Sequence, residues 1–98
     1  MSSKRNNKYK ITLEEVELKD GLQGEKNLEF KFENHDNLFD IIDKMQEKNV
    51  FGDKGQSLEF ALGIKLLSEI MLKHKDNPLF EELKPAFIQF MKKLKGKA

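Results

Sequence analysis

The chain has 98 residues, 36% of them charged and 38% hydrophobic, with eight Phe, no Cys and a formal net charge of +1. That is material for one domain with a modest core, and too rich in core-forming side chains for a disordered chain. It excludes a disulfide framework and thiolate chemistry; no apolar run approaches the ~20 residues of a membrane span, and no apolar block follows the first lysines, so the expected setting is the cytoplasm.

Charge is unevenly spread. Residues 1–10 carry Lys4, Arg5, Lys8 and Lys10 without an acid, and residues 84–98 carry Lys84, Lys92, Lys93, Lys95 and Lys97 without one. The remaining nine basic residues meet all 17 Asp and Glu, so the body carries about −8 between its basic ends. Such ends either lie back on the acidic body or meet an anionic partner, although basic ends commonly do no more than solubilise a chain.

Met1 to Lys8 has little apolar content and reads as a flexible basic arm. Tyr9, Ile11 and Leu13 then alternate with Lys10, Thr12 and Glu14, the period of a half-buried strand. The alternation slips at Glu14-Glu15 and resumes with Val16 and Leu18, which predicts a bulge. Asp20-Gly21 and Gln23-Gly24 mark a turn whose glycines supply positive φ. Leu28, Phe30 and Phe32 form a second alternating run. The two runs predict an antiparallel hairpin with one apolar face to be covered by helices, and with free edges able to recruit a second chain.

Asn34-His35-Asp36-Asn37 reads as a helix start, with Asn34 or Asp36 as cap. Leu38, Phe39, Ile41, Ile42 and Met45 give an amphipathic helix ending near Asn49, with Gly52 available for the reversal. The central helix is expected over Ser57 to Lys75, its start lying earlier if Asp53 and Gln56 form a capping box. Its apolar residues fill two adjoining rows, Leu58, Leu62, Leu66, Ile70 and Phe60, Ile64, Leu67, Met71, so it needs cover on more than one side. Gly63 is its weak point, an expected site of close approach by the hairpin or a partner. Asn77-Pro78 restarts the chain as cap and first helical residue, and Pro85 interrupts a pattern that runs on through Phe87, Phe90, Met91 and Leu94. A short and a longer helix meeting at a kink are the expected outcome, with one domain over 9–95 and residues 96–98 frayed.

Several stretches resemble a family of short bacterial domains of unknown function. They are Tyr9-Lys10-Ile11-Thr12, Leu28-Glu29-Phe30, the run Glu33 to Phe39, Glu69 to His74, Pro78-Leu79-Phe80, and Pro85 to Lys93. The resemblance spans about Lys8 to Lys95 and implies a stand-alone α+β domain. It implies no activity and no catalytic residues.

Chemistry is sparse. His35 beside Asp36 is a candidate polar site, read first as part of a helix cap. His74 falls on the Phe60 row near a helix end, as a half-buried packing residue or dipole partner. No ligand spacing supports a metal, no glycine-rich loop joins a strand to a helix, and Ser57 and Ser68 have no base at motif spacing. Asp36, Asp40, Asp43 and Glu47 make an acidic ridge, read as a solvated face or a surface for a basic partner. Tyr9 and Phe32 beside lysines are the raw material for base stacking, but they belong to the core-facing alternation. The apolar stripe of Phe87 to Lys97 is read as core rather than as a membrane-surface element.

The sequence therefore predicts an α+β fold, ββααα: a two-stranded antiparallel hairpin followed by three main helices, the last kinked at a proline. It predicts no enzyme, metal or cofactor, but a small interaction or regulatory domain that self-associates as a homodimer or binds another protein. The alternative is binding of nucleic acid or another polyanion through Lys4, Arg5, Lys8, Lys92, Lys93 and Lys95.

Overall fold

The structure, a computed structural model, describes residues 6–96. The expected α+β order is observed: strands β1 (Asn7–Glu14) and β2 (Asn27–Asn34), then helices α1 (Leu38–Lys48), α2 (Lys54–Lys73) and α3 (Leu83–Lys95). The chain divides into two compact units, the first ending at Asn37 and the second starting at Leu38. Lys4, Arg5 and Lys97 lie outside the described residues, whereas Asn7 and Lys8, read as part of the arm, open β1.

In the first unit β1 and β2 pair antiparallel with Tyr9 opposite Phe32, Ile11 opposite Phe30 and Leu13 opposite Leu28. Residues opposed in a ladder share a face, so these six form one apolar face. The other face is charged, with Lys8 opposite Glu33, Lys10 opposite Lys31 and Thr12 opposite Glu29. Beyond Glu14 the register slips by one, because Glu15 and Val16 face the three residues Gly24, Glu25 and Lys26 before Glu17 bridges Gln23. The extra residue thus sits on the returning strand, not at the Glu14-Glu15 break in phase. Glu15 stabilises the slip: its N–H donates to the Lys26 carbonyl at 2.8 Å, and its Oε1 accepts the N–H groups of Glu25 (3.2 Å) and Lys26 (3.0 Å).

The two turn glycines have different tasks. Gly21 has φ +89°, and its N–H donates to the Leu18 carbonyl while the Leu18 N–H donates to Leu22, a three-residue turn that needs positive φ at this position. Gly24 does not have positive φ; a Cβ there would overlap the Glu15 Cβ and carbonyl, so it is glycine for close approach. At the other end of β1 the Tyr9 hydroxyl (3.0 Å) and Asn7 Nδ2 (3.1 Å) both donate to the Asp36 carbonyl, tying the strand to the end of the unit.

In the second unit α1 packs on α2, burying Leu38 and Met45 from one helix and Ser57, Ala61 and Met71 from the other. α1 ends at Lys48 with Asn49 at φ 53°, the left-handed residue that stops a helix, and Gly52 at φ 70° completes the reversal. Asp53 caps α2 by accepting the Gln56 N–H at 3.0 Å, which explains a start three residues ahead of Ser57. Gln46 Nε2 also donates to the Lys54 carbonyl. After α2, Asn77 accepts the Leu79 N–H at 2.9 Å and Pro78–Phe80 form a 3₁₀ turn. The short and the longer helix meet just ahead of Pro85, which lies in the first turn of α3, where a missing N–H leaves no intrahelical bond unmade. α3 meets its unit through rings: Phe90 lies edge-on to Phe60 at 6.1 Å, and Phe60 edge-on to Phe51 at 5.0 Å. Lys48 Nζ donates to the Leu94 carbonyl at 3.5 Å, a cation at the negative end of α3.

Gly63 does not meet the close neighbour expected of it. It is exposed, and among the described residues no atom lies within 4 Å of where its Cβ would stand. Two glycine variants therefore have opposite expected outcomes in urea unfolding. Gly24→Ala lowers stability by about 1–3 kcal/mol through the forced shift of Glu15, whereas Gly63→Ala raises it by up to about 1 kcal/mol through helix propensity. An unchanged midpoint for Gly24→Ala contradicts the close-approach account of the bulge.

Candidate interaction surface

Each unit keeps large apolar side chains on its surface. On the hairpin, Leu13, Leu28 and Phe30 of the apolar face are exposed, Phe30 by 42% and Leu28 by 51%, while Tyr9, Ile11 and Phe32 are half-buried. Val16, Leu18 and Leu22 near the turn are exposed as well. Among the described residues the sheet has only two strands, so each has one unpaired edge. The parity of those edges follows from the Glu15 N–H bond to Lys26, which turns the backbone of both residues into the ladder. Alternation then points the N–H and C=O groups of Leu28, Phe30 and Phe32 inward, and those of Asn27, Glu29, Lys31 and Glu33 outward.

On the helical unit α2 is apolar around most of its circumference, as its two rows predict, and α1 and α3 leave part of it open. Leu58, Leu67, Ile70 and Leu72 are exposed. Phe51, Phe60, Gly63, Ile64 and Leu67 line a shallow groove rimmed by Gln56 and Glu59. The bare Cα of Gly63 is part of its floor, and Phe51 forms one wall while remaining exposed.

The polar candidates take simpler places. His35 Nε2 lies 3.5 Å from Asp36 Oδ1 at a largely exposed position, ahead of a helix that begins only at Leu38. Asn34, offered as a helix cap, instead accepts the Asp36 N–H at 2.9 Å in a local turn and is 1% exposed. His74 is exposed rather than half-buried; it is the C-cap of α2, its N–H donating to the Ile70 carbonyl. The structure does not bring His35 and His74 into one unit. Among the described residues no group of three or more His, Cys, Asp or Glu side chains could hold a metal ion. Ser57 is fully buried and its hydroxyl has no hydrogen-bond partner among the described residues, whereas the Ser68 hydroxyl donates to the Lys65 carbonyl. Asp40, Asp43 and Glu47 of the acidic ridge are exposed on α1.

The basic candidates are split between the units. Lys8 and Lys10 line a depression on the hairpin with Tyr9, Lys31, Phe32 and Glu33. Lys92, Lys93 and Lys95 are exposed in the last turns of α3, where Lys92 and Lys93 adjoin the exposed ring of Phe90. Tyr9 and Phe32 are no open stacking platform: their rings lie 5.5 Å apart and the Tyr9 hydroxyl is engaged by Asp36. Sequence reasoning missed Glu15, whose carboxylate holds the bulge, because a break in alternation carries no sign of which strand gains the residue. No helix among the described residues is long and apolar enough to cross a membrane.

A crystal structure of a protein of unknown function from Pectobacterium atrosepticum is similar to this chain at 34% identity, with a TM-score of 0.80 over 94% of this chain and 99% of the other. No curated protein matches. A family model described as a domain of unknown function with solved structure, DUF3861, matches residues 7–96 and so takes in both units. The bacterial domain of unknown function that the sequence resembles is this one: the chain belongs to the DUF3861 family.

Proposed function

We propose that the chain is a small non-catalytic interaction domain that acts by self-association. The observation that supports this is the exposed apolar face of the hairpin, Leu13, Leu28 and Phe30, lying beside two unpaired strand edges. A two-stranded hairpin is marginal in water by itself, and exposed edges gain by closing against another strand. Exposed Leu58, Leu67, Ile70 and Leu72 on α2 add apolar surface suited to burial in an assembly. Light scattering after size-exclusion chromatography over a concentration series tests the reading. A mass twice that of the 11.5 kDa chain, falling on dilution, is expected; a constant monomer mass up to several hundred micromolar contradicts it.

A second reading, polyanion binding, is supported by Phe90 with Lys92 and Lys93 beside it, an aromatic adjoining cations. Its signature is affinity for single-stranded nucleic acid that falls steeply between about 50 and 200 mM salt. Absence of binding at the lower salt removes this reading.

A further inference from the structure

We infer that the occupant of the hairpin's open edge is a second copy of this chain, paired antiparallel along β2 about a two-fold axis at Phe30. The inference rests on the self-association proposed above and names its geometry. β2 offers the longer unbroken exposed run, Asn27 to Lys31, with only Phe32 half-buried and Asn34 buried beyond it, whereas exposure along β1 is interrupted at Tyr9 and Ile11. Its outward residues are Asn27, Glu29, Lys31 and Glu33, and a two-fold partner must pair these with one another.

Charge and backbone groups already engaged together select the register: an axis at Leu28 needs the Glu25 N–H to meet Lys31 of the second copy, yet that N–H already donates to the Glu15 carboxylate. An axis at Lys31 sets Lys31 against Lys31 and Glu29 against Glu33, and an axis at Glu29 sets Glu29 against Glu29; like charges directly opposed destabilise a ladder. An axis at Phe32 requires Asn34 to pair, yet Asn34 is buried in its own turn. With the axis at Phe30, Glu29 of each copy faces Lys31 of the other, Asn27 faces Glu33, and Leu28 faces Phe32 on the apolar side. Phe30 meets Phe30 at the centre, an aromatic pair on a face that now continues across four strands.

The isolated hairpin contains a mismatch that this pairing relieves. Lys31 stands opposite Lys10 in the ladder, and the Lys10 amine goes to Glu29 at 3.9 Å. The second copy supplies the carboxylate facing Lys31 that the ladder position opposite it lacks. Lys31→Glu is for this reason a clean probe, because it puts opposite charges at the Lys10 pair within the hairpin while creating two Glu–Glu pairs between copies.

The test combines mass and crosslinking. Expected are a wild-type dimer, a dimer dissociation constant raised about tenfold or more by Lys31→Glu and by Glu29→Lys alone, and restoration in the double variant Glu29→Lys/Lys31→Glu. Thermal unfolding of Lys31→Glu, read at a concentration where it is monomeric, is expected to be no easier than that of monomeric wild type. Because the chain has no cysteine, Phe30→Cys is a single-site crosslink. Residues flanked by hydrogen-bonded pairs approach to about 4.5 Å between Cα atoms, within disulfide range, so oxidation gives a covalent dimer. A wild-type dimer that the single charge reversals leave intact, or one that crosslinks through Ile11→Cys and not Phe30→Cys, overturns the β2 register while leaving self-association standing. A monomeric wild type overturns both.

Discussion

A two-stranded ladder can satisfy only the inward half of its backbone groups, and this constraint governs the first unit. The outward N–H and C=O groups of β2, at Asn27, Glu29, Lys31 and Glu33, rely on water or on another strand. What keeps the ladder regular enough to present such an edge is local. Glu15 accepts two backbone N–H groups where the register slips, Gly24 makes room for it, and Tyr9 and Asn7 fasten the far end to the Asp36 carbonyl. These polar contacts, more than a buried core, define the hairpin, because its apolar face is at most half-buried along its length.

The helical unit follows a different logic. Its α1–α2 pair has a narrow buried seam, and α3 joins through the Phe51, Phe60 and Phe90 rings and the Lys48–Leu94 bond. A helix apolar over most of its circumference cannot be covered by one full neighbour and a partial one, so α2 retains exposed leucines and a groove floored by Gly63. The same glycine that weakens the helix leaves that floor open.

Much of the fold was legible because its signals are periodic or stereochemical. Alternation gave the two strands and their shared face, the 3.6-residue stripe gave α1, and Asp53–Gln56 and Asn77–Pro78 gave two helix starts through side chains that do cap. Less was legible where a residue's task depends on a remote neighbour. Gly24 and Gly21 look alike in sequence, yet one needs positive φ and the other needs space against Glu15. Gly63 looked like a contact and faces open space, Asn34 looked like a cap and, itself buried, closes a local turn, and His74 looked half-buried because its helical row continues past the point where the helix ends. The surface was legible in kind, as apolar excess and open edges, but the Lys10–Lys31 opposition emerges only once the strands are aligned.

Amide hydrogen exchange along β2 is the sharpest probe of a second copy pairing on this edge, because it reads each backbone N–H separately. The N–H groups of Leu28, Phe30 and Phe32 point into the hairpin and should be protected at every concentration. Those of Glu29 and Lys31 point outward, and their protection is expected to rise with protein concentration as the second copy pairs with them. Fast exchange at Glu29 and Lys31 in a sample shown to be dimeric would contradict this pairing.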